Sequence, residues 1–206
     1  MRSIHPKSPR SADGAAHPSP VSLAADSPSI RRLVWGLLAV GLLLRAAHYL
    51  SNASLWLDEA MLAHNILGRS AGALLQGLDY EQVAPPAFLW LERMAILVLG
   101  RGEWALRLVP FLAGCAVLPL GWALARRILS PAGAVVALAL LVVNEPLLAY
   151  SAEVKPYALD AALALATLLV AVRIRRAEAR GVDLVLLTAL GLLGPIAEEF
   201  GLRYVC

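Results

Sequence analysis

The chain has 206 residues, 59% apolar and only 16% charged, with a net charge of +3 and a mean hydropathy of +0.68. Soluble domains carry about a quarter charged residues, so the composition excludes an ordinary soluble enzyme and asks how many apolar runs reach the roughly 20 residues that cross a bilayer. The arginines cluster between apolar runs, at Arg31-Arg32, Arg126-Arg127 and from Arg173 to Arg180; this is the pattern of cytoplasmic membrane loops, and it gives no case for a nucleic-acid partner.

Residues 1–30 are rich in Pro, Ser, Ala and His with no apolar period, and read as a disordered cytoplasmic tail. The first apolar run begins only at Leu33, too far in for a secretory signal. Residues 33–50 form a first span from inside to outside. Arg45 and His48 lie in its last two turns and are expected to snorkel to the interface; an inward-facing Arg45 would instead be a phosphate contact.

Next comes Ser54-Leu55-Trp56-Leu57-Asp58-Glu59-Ala60, two adjacent carboxylates directly after a span. Helix capping alone explains an acidic pair at such a place. A second polar cluster, Tyr150-Ser151-Ala152-Glu153-Val154-Lys155-Pro156-Tyr157, shifts the balance if it shares the same face. From Asp58 to about Gly68 the apolar spacing predicts a short amphipathic helix, too polar to span.

Residues 85–100 are apolar but short, with Glu92-Arg93 at their centre. If they crossed the membrane, both downstream arginine clusters would lie outside. If they lie in the interface plane, residues 104–124 run inward, 132–149 outward and 157–172 inward, and every basic cluster is cytoplasmic. Asp58 and Glu153 then share the extracytoplasmic side. Residues 182–196, interrupted by Gly194-Pro195, make a short fifth span.

The expected fold is therefore an all-α integral membrane protein of about five transmembrane helices, with interfacial amphipathic helices in the first extracytoplasmic loop. Its expected parts are the tail (1–30), a membrane domain (31–180) and a partial fifth span with a divergent end (181–206). Two cysteines, Cys115 and Cys206, and four scattered histidines form no disulfide or metal spacing.

Leu57-Asp58-Glu59, then Ala84-Pro85-Pro86, then Glu103-Trp104-Ala105-Leu106-Arg107-Leu108-Val109-Pro110, then Tyr150-Ser151-x-Glu153-x-Lys155-Pro156-Tyr157 together resemble the glycosyltransferase C superfamily. The closer likeness is to its polyprenyl-phosphate-sugar group, which includes dolichyl-phosphate-mannose protein mannosyltransferases and lipid A aminoarabinose transferases. The resemblance covers roughly residues 33–180 and implies an inverting membrane glycosyltransferase, hexosyl or pentosyl. The sugar donor would be a sugar on a polyprenyl phosphate, and a lipid, glycan or protein hydroxyl would accept it on the outer face of, by composition, a bacterial inner membrane.

By the same match Asp58 would be the general base or acceptor-orienting carboxylate, which needs an ionised oxygen within reach of the hydroxyl. Glu59 would be a like-charged neighbour that raises its pKa, or a metal ligand, since some relatives use a divalent cation and others do not. Glu153 would complete a carboxylate site for substrate or metal. Lys155 would stabilise the departing phosphate, as a point charge without arginine's fork. Tyr157 joins it on the substrate side, although an interfacial aromatic belt also explains Tyr150 and Tyr157.

Ala84 stands where the aminoarabinose transferases carry a basic residue before the Pro-Pro pair. Family members are also much longer, which implies that the chain corresponds to an N-terminal portion. A different class is suggested by Glu198-Glu199-x-x-x-Arg203, similar to the first motif of CAAX-type intramembrane proteases. A non-catalytic membrane subunit or transporter fragment is the third reading.

Overall fold

The computed structural model describes residues 27–176 together with 181–183, 185, 187 and 188. The chain there is helical and without strands. Helix α1 (Pro28–Ser51) starts where the Ser27 hydroxyl accepts from the Ile30 N–H and Pro28 fills the first turn, two standard start signals. It ends at Asn52, whose left-handed backbone (φ 42°) turns the chain into the carboxylate loop. Helix α2 (Leu57–Gly68) and α3 (Pro86–Leu99) follow, joined by two single 3-10 turns.

Helix α4 (Glu103–Leu106) runs across Arg107 into α5 (Leu108–Ile128), then α6 (Pro131–Val143), α7 (Glu145–Tyr150) and α8 (Tyr157–Arg175). Among the described residues three stretches are long and apolar enough to cross a bilayer: Pro28–Ser51, Glu103–Ile128 and Tyr157–Arg175. The expected 132–149 span is broken. Asn144 leaves the helix, its side chain accepts from the Leu147 N–H, and Pro146 opens α7, so a 13-residue apolar α6 replaces one long rod. Residues 182–196 lie largely outside the described residues, as do Glu198, Glu199, Arg203 and Cys206.

Helix α5 is the centre of the bundle, packed on α8, α6 and α1. Small residues allow the close approach that helices in lipid depend on. A Cβ on Gly114 would lie 2.4 Å from the Ser151 Cβ, and one on Gly121 would lie 2.3 Å from Leu141 Cδ1.

Arg45 corrects the snorkelling expectation. It is fully buried, donating to the carbonyls of Gly41 at 3.1 Å and Leu141 at 3.4 Å. The break after Val143 leaves the last carbonyls of α6 without helical partners, and a cation at that negative end satisfies one of them.

A second core sits at the end of the bundle where α1 stops. Leu62 and Ile66 of α2, Phe88 and Leu89 of α3 and Leu106 of α4 pack there around Val154. Helix α3 has 14 residues and so rises about 21 Å, short of a bilayer core. Its central charges do not face lipid. Glu92 is buried, and Arg93 donates to the Ile66 and Leu67 carbonyls at 3.0 and 3.3 Å, closing the end of α2. At the other end of the bundle Arg176 donates to the Arg127 carbonyl, joining two of the arginine clusters.

Candidate active site

The site forms where α1 hands over to α2 and α7 to α8. Val154 is wholly buried among apolar side chains of α2, α3 and α4, and that anchor leaves its neighbours Glu153 and Lys155 beside the start of α2. The buried Glu59 carboxylate ties the two segments together. One of its oxygens accepts from the Val154 N–H at 2.7 Å, the other from the Trp56 N–H at 3.0 Å. The second bond is half of a capping box; tryptophan has no acceptor to return it.

Asp58, one residue earlier and exposed, points the other way. Its Oδ2 lies 3.0 Å from Lys155 Nζ, and its Oδ1 accepts from the Glu59 N–H at 3.0 Å. The hydrogen bond from Lys155 holds the Asp58 carboxyl below the usual carboxylate range. This reverses the expectation that Glu59 raises it: a cation in contact outweighs an acidic neighbour directed into the fold. Glu153 carries the raised pKa instead, from burial first and then from the Glu59 and Asp58 carboxylates, against the pull of Lys155 and Arg107.

Beside Glu59 opens a cleft of about 160 Å³ lined by His48, Trp56, Glu59, Arg107 and Glu153 among others. Arg107 is buried, donates to the Asn52 side-chain oxygen at 3.2 Å, and leaves its Nε without a partner. A guanidinium and a carboxyl on one cleft can donate to and accept from sugar hydroxyls. Tyr157 is exposed and packs against Tyr150 with ring centroids 4.7 Å apart. The structure thus brings Asp58, Glu59, Glu153 and Lys155 together, with Tyr157 at the start of α8.

Sequence reasoning gave no role to Arg107, Asn52 or Gln82, whose side-chain oxygen lies 3.5 Å from Lys155 Nζ. Arg107 had a readable signal, a lone cation inside the apolar 103–110 stretch; Gln82 had none. A divalent cation finds no ready ligand set. Both Glu59 oxygens are taken by backbone N–H groups, Asp58 is held by Lys155, and among the described residues no cluster of three or more His, Cys, Asp or Glu is arranged around a metal position.

A helical bundle with apolar helices of membrane-spanning length, and with carboxylates and cations gathered at one end, defines an integral membrane protein with a polar cluster at one end of its bundle. The chain belongs to the dolichyl-phosphate-mannose-protein mannosyltransferase family, whose model matches residues 83–195, more than half of its length. It is therefore a membrane glycosyltransferase by family and falls within the glycosyltransferase C superfamily that its motifs resemble. The matched stretch contains Arg107, Glu153, Lys155 and Tyr157; Asp58 and Glu59 precede it. No curated protein and no solved structure matches the chain.

Proposed function

We propose that the protein transfers a sugar from a polyprenyl phosphate to an acceptor hydroxyl on the extracytoplasmic face, with inversion at the anomeric carbon. The observation that carries this reading is the Asp58–Lys155 contact at 3.0 Å, which sets a base beside a cation that can pair with a phosphate. In the reaction Asp58 takes the acceptor's proton as its oxygen bonds the anomeric carbon. The bond from that carbon to the phosphate oxygen breaks, and the electron pair leaves with the lipid phosphate, which Lys155 stabilises. Glu59 is a positioning residue, whereas Glu153 and Arg107 orient substrate hydroxyls in the cleft that they line, and Tyr157 offers an exposed ring at the start of α8.

The basic clusters support a cytoplasmic N-terminus and an outward site, in a membrane that composition suggests is a bacterial inner membrane. The test is transfer of a radiolabelled sugar from a polyprenyl phosphate by membranes carrying the protein. Asp58→Asn is expected to lower the rate by about 100-fold or more, the usual worth of a general base. A wild-type rate in that variant rejects the reading.

A further inference from the structure

The Asp58–Lys155 contact occupies both groups that the transfer reaction needs. Lys155 has a side chain only 12% exposed, held between Asp58 Oδ2 at 3.0 Å and the Gln82 oxygen at 3.5 Å, whereas the Asp58 side chain is 61% exposed. The ammonium is thus enclosed between two oxygen partners, and the carboxylate is the member open to an incoming molecule. A substrate phosphate arriving at Lys155 therefore meets an existing anion and must take its place.

We propose that Lys155 is a shared cation that passes from Asp58 to the phosphate of the bound sugar donor, which displaces the carboxylate from it. This rests on the transferase reading above. The exchange is matched to the chemistry. A sugar phosphodiester carries one negative charge, and the departing monoester carries between one and two. Asp58 loses its charge as it takes the acceptor's proton. The pull on Lys155 thus moves from the carboxylate to the phosphate as the bond to the anomeric carbon breaks. Gln82, an uncharged oxygen, can hold the ammonium during the exchange without competing for it as a charge would.

The experiment is equilibrium binding of a polyprenyl monophosphate to the protein in lipid nanodiscs, for wild type, Asp58→Asn, Lys155→Gln and the double variant. Asp58→Asn is expected to bind about two- to fivefold more tightly, the range of a partly exposed ion pair, and Lys155→Gln more weakly. The gain from Asp58→Asn vanishes in the Lys155→Gln background, because the competition runs through the lysine. A gain that persists there is simple relief of charge repulsion and overturns the proposal, as does an unchanged or weaker affinity in Asp58→Asn. Lys155→Arg keeps the cation and guards against a folding defect: the gain returns in Asp58→Asn/Lys155→Arg, and its absence there also counts against the exchange. If neither wild type nor any variant retains the lipid phosphate, the transferase reading itself fails, an outcome distinct from binding without competition.

Discussion

Lys155 sets the acid side of any activity that depends on an ionised Asp58. Because its hydrogen bond holds the Asp58 carboxyl below the ordinary range, the base stays charged further into acid than a free aspartate would. Lys155→Gln removes the largest cause of that shift, so the acid limb of kcat/KM is expected to move to higher pH, and an unmoved limb would mean that Asp58 is not the titrating base. Glu59 acts through the backbone. Glu59→Gln sets an amide N–H against one of the two backbone donors it now accepts from, at a cost of about 1–3 kcal/mol, and thermal unfolding should register that loss alongside reduced transfer. Glu92 poses a different problem: both its oxygens are buried and unpartnered, and burial pushes its pKa up to about 9. The folded state then keeps a proton that the unfolded chain releases near pH 4.5, so stability falls as pH rises from about 4.5 to 9, by about 3 kcal/mol at pH 7. Glu92→Gln removes that titration and is expected to flatten the change in Tm between pH 5 and pH 8; an unchanged slope would mean that Glu92 does not carry it.

At the scale of the element, the site depends on how closely α5 lets the 151–156 segment approach. Gly114 faces the Cβ of Ser151, an atom next to backbone that cannot swing aside, and Ser151 is itself buried with its hydroxyl donating to the Leu148 carbonyl at 2.6 Å. Gly114→Val should therefore push this segment outward at an overpacking cost of about 1–3 kcal/mol. It should also part Lys155 from Asp58, so that transfer is lost while α5 remains helical by circular dichroism; retained transfer would show that the spacing is not critical. The same elements mark the limit of sequence reading. Apolar runs and arginine clusters were enough to find α1, α5 and α8, because lipid imposes a length and a charge rule on the chain itself. The break at Asn144 had a local signal in Asn144 and Pro146 that the apolar run masked. The burial of Arg45 was not readable, since one of the two carbonyls it answers, that of Leu141, is set free only by the break. The contacts of Glu59 were hidden for a similar reason. Its neighbour in sequence is Asp58, but its partner is the Val154 N–H, which lies 95 residues away.

For the whole molecule, the decisive property is which ends of the bundle face which side. The two carboxylate-bearing segments meet at the end where α1 stops, and Arg176 reaches the Arg127 carbonyl at the opposite end of α5 and α8. Motif order pointed to this gathering, because two spans separate the clusters at 58 and 153 and an even number of crossings returns the chain to its starting side. The helix lengths now bear on how those crossings are made: α5 is a full rod, whereas the return is divided between the 13-residue α6 and α7. If the basic end is cytoplasmic, exposed positions near the carboxylates are reached from outside. Single cysteines in a Cys115→Ala, Cys206→Ala background test this with a membrane-impermeant thiol reagent on intact cells. Ser54→Cys and Glu145→Cys, both exposed, are expected to label, and Arg126→Cys, also exposed, only after the membrane is opened. Labelling of Ser54→Cys and Arg126→Cys alike from outside would break the bundle's two-ended charge arrangement. Protection of Ser54→Cys and Glu145→Cys with labelling of Arg126→Cys would turn the site toward the cytoplasm, and an extracytoplasmic sugar donor could then not reach Asp58.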